Sequence, residues 1–220
     1  MNSSTLTGPV LIVGAGLLGA SVGLALRAQN VSVFLSDSSP TVEAVAQDIG
    51  AGVSIRALAA QRGLASSSLP QVLENEPQLV VVAAPPDVCA ELVVQQLELW
   101  DSATVVDLAS VKASILAAVL ASDADVTRYV GVHPMAGREK SGPVAARGEL
   151  FTSRPFVVCP HPQAQQRCVK LAQILGVELG SIVTFLSVEE HDDAVALISH
   201  VPQVMSSLLA SRSVSYTHLT

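Results

Sequence analysis

The sequence predicts an α/β fold, a doubly wound and mostly parallel sheet with helices on both faces. Three observations predict it. Short β-branched runs alternate with segments of helical period along most of the 220 residues. Half of the residues are hydrophobic but only 3% are aromatic, and Ala, Val and Leu dominate, which is typical of strands buried on both faces. The first strand leads through a glycine-rich turn into a helix.

The first strand and helix flank a glycine motif. Residues 10–13 are too few and too β-branched for a helix, and residues 17–27 repeat apolar side chains at helical spacing. Between them, three glycines have the dinucleotide-binding spacing: Gly14, Gly16 and Gly19. In that order, they make the turn, admit a pyrophosphate and pack the helix on the strand. The helix N terminus, with Leu18 in its first turn, offers N–H groups to phosphates. The motif indicates a Rossmann-type domain.

A carboxylate follows the second predicted strand, residues 31–35. Asp37 can accept the hydroxyl hydrogens of an adenosine ribose and would repel a 2′-phosphate. Residues 38–40 are Ser, Ser and Pro, and no arginine stands nearby to favour that phosphate. We therefore expect NAD, with NADP less favoured. The alternative is that Asp37 is an ordinary turn residue.

The remaining strands and helices alternate regularly. Residues 51–76 have soft boundaries and predict only a short strand or turn and one helix. Strands are predicted at 79–84, 104–108, 129–133, 155–159 and 182–186, and helices at 41–49, 88–99, 111–120 and 163–175, with a last one from Val188 toward His200.

Charge and cysteine content exclude several classes of protein. The net charge is −7 and no basic cluster occurs, which argues against a nucleic-acid partner. Residues 9–26 lack charge, but their glycines and strand-like start favour a soluble core over a membrane span, and no basic residue precedes them as in a signal peptide. Three unpatterned cysteines predict reduced thiols and a cytoplasmic location: Cys89, Cys159 and Cys168.

Polar groups cluster where strands end, at the edge of the sheet where a dinucleotide would lie. Ala84 and Pro85 close one such strand. Ser110 follows the next and predicts an N-cap for the helix after it. Lys112 then opposes the helix dipole, which hints at a pocket that needs positive charge, although a solvated lysine is an equal alternative.

His133 closes a further strand at this edge, before a loop rich in glycine. A histidine titrates near neutrality, so it can take a proton while hydride leaves for a nicotinamide. The alternative is a loop histidine bonded to the backbone. No histidine pairs with another ligand at helical spacing, and His191-Asp192-Asp193 predicts an exposed helical turn, so we expect no metal site.

With these residues assembled, the chain resembles the prephenate/arogenate dehydrogenase family of tyrosine biosynthesis. The matching segments lie in family order: 14–21, Asp107 to Lys112, His133-Pro-Met-Ala-Gly-Arg-Glu139, Glu190-His-Asp192 and Ser199-His-Val-Pro202. The glycine segment is generic, whereas the His-Pro-Met-Ala-Gly-x-Glu and Ser-His-x-Pro signatures are much more specific.

The resemblance implies oxidative decarboxylation of prephenate or arogenate, with hydride transfer to NAD(P)⁺ and loss of CO₂ as the ring becomes aromatic. It implies that His133 is the general base for the substrate 4-hydroxyl and that Ser110 orients both. Four residues would meet the substrate: Lys112, Glu139, His200 and Gln203. The main task is to align the substrate with the nicotinamide.

The chain departs from the family at two points. Gln203 stands where the family often has a second histidine, and glutamine can donate a hydrogen bond to a substrate carboxylate but brings no charge. The family also has a helical C-terminal domain that supplies a substrate-binding arginine and the contacts of a homodimer. We expect residues 1–187 to form the dinucleotide-binding domain and 188–220 to begin an incomplete helical domain. The resemblance then implies that the 220-residue chain binds NAD but turns over poorly.

Two alternatives remain open. Another Rossmann dehydrogenase with a helical second domain, such as a β-hydroxyacid dehydrogenase, would rely on a lysine of that domain. A non-catalytic NAD-sensing module would keep the glycines and Asp37 but would not need Ser110, Lys112 and His133 at the same sheet edge.

Overall fold

A computed structural model describes residues 6–137 and 140–197. Within them the chain forms one sheet of eight strands. The strands are β1 (Val10–Val13), β2 (Val33–Ser36), β3 (Val53–Ser54), β4 (Leu79–Val82), β5 (Thr104–Asp107), β6 (Tyr129–Pro134), β7 (Pro155–Cys159) and β8 (Ile182–Phe185).

The order of the strands is β3-β2-β1-β4-β5-β6-β7-β8. Neighbours are parallel except for β6 and β7, which run antiparallel with His133 opposite Val157. The order reverses at β1, which pairs with β2 on one side and β4 on the other. A doubly wound sheet opens a crevice at such a reversal, outside the carboxyl ends of the strands.

Eight helices cover the two faces of the sheet in the described part of the chain. They are α1 (Leu17–Arg27), α2 (Pro40–Asp48), α3 (Ile55–Arg62), α4 (Leu69–Leu73), α5 (Pro86–Leu99), α6 (Ala113–Leu120), α7 (Gln166–Glu178) and α8 (Val188–Val195). One apolar layer contains residues of α1, α2 and α7, and the other contains residues of α3 to α6. Successive residues of β1 alternate between the layers, because neighbouring side chains of a strand point to opposite faces.

The local sequence explains where several helices start. Ser39 caps α2 by accepting a hydrogen bond from Val42 N, and Pro40 occupies the first turn, where its missing N–H costs nothing. Helix α8 starts with a capping box in which Ser187 and Glu190 each accept a backbone N–H from the other residue.

The predicted fold is confirmed, but the bounds of several elements differ, and helix α7 spans Gln166–Glu178 where the sequence predicted 163–175. Helix α1 and strand β7 have the predicted bounds. The region 51–76 forms two helices after its short strand, where the sequence predicted one. Helix α6 begins at Ala113, two residues later than predicted. Its N-cap is Lys112 and not Ser110.

No helix in the described ranges is long and apolar enough to cross a membrane. The boundary predicted between residues 187 and 188 coincides with the start of α8, and the division into two domains stays a prediction. Residues 198–220 lie outside the described part of the chain.

Candidate active site

Two adjoining clefts lie at the carboxyl ends of the strands around β1 and β4. The first cleft, about 900 Å³, is bounded by the glycine turn, the end of β2 and the end of β4. The second cleft, about 570 Å³, lies between the start of α1 and the ends of β5 and β6. Gly16, Ala84 and Pro85 line both, so the clefts form one continuous groove across the strand-order reversal.

The glycine turn is built so that only glycine fits at two of its positions. Gly14 has a φ of +98°, and a Cβ there would lie 2.4 Å from the carbonyl oxygen of Ala83. A Cβ on Gly19 would lie 1.9 Å from the carbonyl oxygen of Gly14. At Gly16, by contrast, a Cβ would meet no atom within 4 Å, because it would point into the open groove.

Helix α1 presents its N terminus to this groove. Its N-cap, Gly16, has no side chain with which to cap the first N–H groups, and its first turn carries no acidic residue. Leu18 lines the second cleft from that turn. Uncapped N–H groups and the positive end of the helix dipole favour an anion at this point.

Asp37 lies at the rim of the first cleft, half-buried. Its Oδ2 accepts a hydrogen bond from Ala15 N at 2.7 Å, and its Oδ1 accepts one from Ser39 N at 2.8 Å. The carboxylate therefore joins the end of β2 to the glycine turn. Each oxygen can accept a second hydrogen, so both remain able to receive a ribose hydroxyl.

The expectation that no arginine stands near Asp37 is wrong. Arg56, from the start of α3, donates to the carbonyl oxygen of Asp37 at 2.9 Å and lines the first cleft. It was missed because it is 19 residues away in sequence. Glu43 holds it there: this buried carboxylate lies 3.2 Å from the Arg56 Nε and accepts a hydrogen bond from Asp37 N.

His133 and Ser110 lie in the second cleft. His133, the next-to-last residue of β6, is partly buried, and Ser110 is exposed on the loop after β5. The ends of neighbouring parallel strands bring these two residues to one wall. Lys140, on the far side of the β6 loop, lines the same cleft.

Behind His133, on the side away from the cleft, three side chains are connected in a row by hydrogen bonds. The Nδ1 of His133 lies 2.9 Å from the Nε2 of His191, with the rings nearly perpendicular at 77°. The Nδ1 of His191 lies 2.7 Å from Oδ1 of Asp192. The carboxylate of Asp192 also accepts backbone N–H groups from Lys112, at 2.9 Å, and Ala113, at 2.8 Å.

His191 is therefore not on an exposed helical turn, as the sequence analysis expected. It is 1% exposed and lies on the packed face of α8. The sequence contains a sign of this, because His191 lies three residues after Val188 and four before Val195, and residues at these spacings share one helix face. Both valines are buried.

The same contacts correct the role of Ser110. The first N–H groups of α6 are satisfied by Asp192, which comes from another helix, so the Ser110 hydroxyl is not the cap. This leaves the hydroxyl exposed in the second cleft.

Lys112 does not meet the groove, contrary to the expectation that it contacts substrate. Its ammonium is 1% exposed, pairs with Asp107 and donates to the carbonyl oxygen of Val132 at 2.9 Å. Asp107 also accepts from the Tyr129 hydroxyl at 2.7 Å and from Ala109 N at 2.9 Å. These bonds compensate the buried charges and fix the ends of β5 and β6 to each other.

The electrostatics of the site keep His133 neutral. Burial lowers its pKa to about 4, assisted by the proximity of His191 and of the Lys112 ammonium, while Asp192 acts in the opposite direction. The pKa of Asp192 is also lowered: burial opposes this, but the hydrogen bonds from Ala113, His191 and Lys112 outweigh it. Burial raises the pKa of the nearby thiols Cys89 and Cys159 to about 12, so both stay protonated.

Three expected substrate contacts, Glu139, His200 and Gln203, lie outside the described residues. Across residues 6–137 and 140–197, no group of three or more His, Cys, Asp or Glu side chains is arranged to hold a metal ion.

Residues 22–184 match the family model described as "Prephenate dehydrogenase, nucleotide-binding domain". The chain belongs to the prephenate dehydrogenase family. The matched range includes Asp37, Ser110 and His133, and it stops before His191.

Curated prephenate dehydrogenases match along nearly the whole chain. A probable prephenate dehydrogenase, NovF, from Streptomyces niveus is 35% identical over 92% of this chain and 51% of its own length. The prephenate dehydrogenase of Lactococcus lactis is 30% identical over 94% of this chain and 54% of its own length. The chain thus spans about half the length of these relatives.

Solved structures of the prephenate dehydrogenase family share the fold. The prephenate dehydrogenase of Aquifex aeolicus, crystallised with hydroxyphenyl propionate and NAD⁺, aligns with a TM-score of 0.81 at 25% identity, covering 100% of this chain and 72% of its own. Synechocystis arogenate dehydrogenase aligns with a TM-score of 0.76 at 24% identity, covering 93% of this chain and 68% of its own.

Proposed function

We propose that this chain is the nucleotide-binding part of an NAD-dependent dehydrogenase that oxidises and decarboxylates prephenate or arogenate. One observation carries the proposal: an imidazole and an exposed hydroxyl, His133 and Ser110, share one cleft with an uncapped helix N terminus. A dinucleotide bound along the groove would bring its nicotinamide end beside that imidazole. An NAD-sensing module would not need a base and a hydroxyl at this point.

The residues of the groove fit NAD. The open space at Gly16 and the uncapped turn of α1 suit a pyrophosphate. The two oxygens of Asp37 suit the adenosine ribose, and the negative charge of the carboxylate opposes a 2′-phosphate. Arg56 does not reverse this preference, because its guanidinium is already engaged by Glu43 and by the carbonyl oxygen of Asp37.

The chemistry needs little from the protein beyond positioning and one proton acceptor. A nicotinamide held in this groove would supply the hydride acceptor for the carbon that bears the substrate hydroxyl. His133 accepts the hydroxyl proton, and its lowered pKa keeps it unprotonated at neutral pH. Ser110 holds the hydroxyl toward His133. The ring carboxylate leaves as CO₂, and aromatisation of the ring drives that loss.

The test is an assay with NAD⁺ and prephenate or arogenate that follows the absorbance of the reduced cofactor, with a separate titration of NAD⁺ and NADP⁺. We expect tighter binding of NAD⁺ than of NADP⁺. His133→Asn should retain the affinity for NAD⁺ and lower turnover by about 10²-fold or more, because a general base contributes on that order. The relative rates with the two substrates decide which is preferred.

His161→Gln is the matched control. His161 lies outside both clefts, and glutamine can keep its bond to the carbonyl oxygen of Tyr129. It should turn over like the unaltered chain. Undiminished turnover in His133→Asn would overturn the assignment of the base, and absence of NAD⁺ binding would overturn the proposal as a whole.

The proposal also includes the setting of the enzyme. Cys89, Cys159 and Cys168 are free and buried, which suits a reducing cytoplasm. We further propose that the enzyme is a homodimer. The family resemblance implies that the dimer contacts come from the helical C-terminal domain. Sedimentation of a longer form and of this chain would test it.

A further inference from the structure

On the side that faces away from the cleft, the ring of His133 contacts His191 of helix α8. Asp192 accepts hydrogen bonds from three donors, the backbone N–H groups of Lys112 and Ala113 and the ring of His191. Two of these donors are backbone N–H groups at the start of α6, which packs on the sheet. They therefore fix the position of the carboxylate relative to the sheet. His191, one residue before it and almost fully buried, is held in turn.

This arrangement determines where the protons lie. The pKa of Asp192 is lowered, so it stays ionised and can only accept. The Nδ1 of His191 must therefore carry a hydrogen. A neutral His191 then has a lone pair on Nε2, and its 2.9 Å contact requires a hydrogen on Nδ1 of His133. A neutral His133 with a hydrogen on Nδ1 has its lone pair on Nε2.

We infer that Asp192 and His191 are a positioning pair that holds the Nδ1 hydrogen of His133, so that Nε2 is the basic atom. The inference rests on the proposed function for its meaning, since only a general base needs a fixed tautomer. Among the described residues no hydrogen-bond partner occupies Nε2, and His133 lines the second cleft. The arrangement resembles a catalytic triad, in which a carboxylate orients the basic histidine through a hydrogen bond to its Nδ1. Here a second imidazole, His191, lies between the carboxylate and the base.

The pair also acts on the charge that His133 acquires. When Nε2 takes the substrate proton, the Nδ1–H bond to His191 remains, and the Asp192 carboxylate stabilises the positive ring. Within the described residues, the charged groups that shift the pKa of His133 are His191 and Asp192 from α8 and Lys112 from the start of α6, and Lys140 lines the same cleft. The Lys112 charge opposes protonation, but its ammonium is paired with Asp107.

The direct test needs neither cofactor nor substrate. Nitrogen-detected NMR of ¹⁵N-histidine-labelled chain at neutral pH distinguishes the protonated from the unprotonated ring nitrogens. We expect His133 to be protonated on Nδ1 and bare on Nε2, and His191 to be protonated on Nδ1 only. A cationic His191 that donates to a His133 protonated on Nε2 would overturn the inference.

Variants separate positioning from packing. In His191→Gln the amide oxygen can still accept from His133, so the NMR tautomer should persist and kcat should fall by less than about 10-fold. His191→Leu removes the acceptor, so both neutral tautomers of His133 should be populated. The kcat should then fall by about 10²-fold with little change in KM. Equal losses of kcat in the two variants would show a packing role alone.

Asp192→Asn is compared with Asp193→Asn, which removes the same charge from an exposed neighbour whose carboxylate makes no hydrogen bond or ion pair within the described ranges. Only Asp192→Asn should lower the pKa of His133 in the NMR titration, since Asp192 is the group that raises it. An identical titration of His133 in the two variants would contradict the inference.

The two proposals fail in different ways. If a longer form that includes the helical region binds NAD⁺ and has the expected tautomers but turns over neither substrate, the proposed function fails and the positioning pair stands. If it turns over a substrate while His133 is protonated on Nε2, the pair fails and the proposed function stands.

Discussion

The two clefts are organised in the same way, because each is built around one buried carboxylate. Behind the first, the buried carboxylate of Glu43 accepts from Asp37 N, Arg56 N and the Ser54 hydroxyl. Behind the second, the buried carboxylate of Asp107 accepts from Lys112, Tyr129 and Ala109 N. In each case, one buried acid ties together the loops that form the site.

The difference lies in what balances the acid. Arg56, the cation beside Glu43, has 40% of its side chain exposed and is partly solvated. Lys112, the cation beside Asp107, is 1% exposed and depends on that carboxylate almost entirely. Removal of one partner should therefore cost far more behind the second cleft than behind the first.

The largest expected effect is that of Asp107→Asn. This change leaves a buried ammonium without a counter-charge, so the free energy of unfolding should fall by about 3–5 kcal/mol. Urea denaturation measures it, with Asp101→Asn as the control, because Asp101 is exposed on the turn before β5. A similar stability for the two variants would show that the ion pair does not hold the second cleft together.

Next in size is the contrast between two glycines of the dinucleotide-binding motif. Gly19→Ala places a Cβ 1.9 Å from a backbone oxygen, so we expect a loss of about 1–3 kcal/mol in stability. Gly16→Ala meets open space and should leave stability within about 0.5 kcal/mol. It should nevertheless weaken NAD⁺ binding at least 10-fold, since the methyl group enters the groove. If Gly16→Ala binds NAD⁺ with normal affinity, the pyrophosphate does not bind next to Gly16.

Glu43→Gln should have a smaller effect on stability, about 1–2 kcal/mol, because glutamine keeps one acceptor oxygen but turns an NH₂ toward a donor. The end of β2 should also loosen, and NAD⁺ affinity should fall with stability. Thermal unfolding and calorimetric titration measure the two quantities, with the exposed Glu98→Gln as the control. A loss as large as that of Asp107→Asn would contradict the proposed difference between the clefts.

The smallest expected effect is a pH dependence that originates in the second cleft. Burial lowers the pKa of His133 from 6.5 to about 4, so between these values the unfolded chain binds a proton that the folded chain does not. The free energy of unfolding should thus fall as the pH drops from 7 to 6, by about 0.7 kcal/mol from this group. His133→Asn removes that contribution. Equal pH slopes in the variant and the unaltered chain would contradict it.

The side of the first cleft that the glycine turn forms could be predicted from the sequence. The glycine turn, the helix after it and the residue that ends β2 lie within one continuous stretch, and each has a local physical cause. What the sequence did not show there is Arg56, which reaches Asp37 only because β3 lies beside β2.

The second cleft could be predicted only in part. His133 and Ser110 were placed at the correct edge, because the ends of parallel strands meet there. The sequence predicts an exposed His191 and a substrate contact for Lys112, but both residues are buried. The local sequence around each residue does not show which groups from other elements pack against it. The spacing of His191 between two buried valines was the one sign available.

By itself, the sequence determined the alternation of strands and helices, the glycine turn and the edge of the sheet at which the chemistry lies. These features follow from periodicity and from backbone conformation over a few residues. Only the tertiary structure decided which groups share a proton or a charge. His191 is 58 residues from His133, and Asp192 is 80 from Lys112. Such pairs are formed when β5, β6 and α8 pack together, and no local pattern encodes that packing.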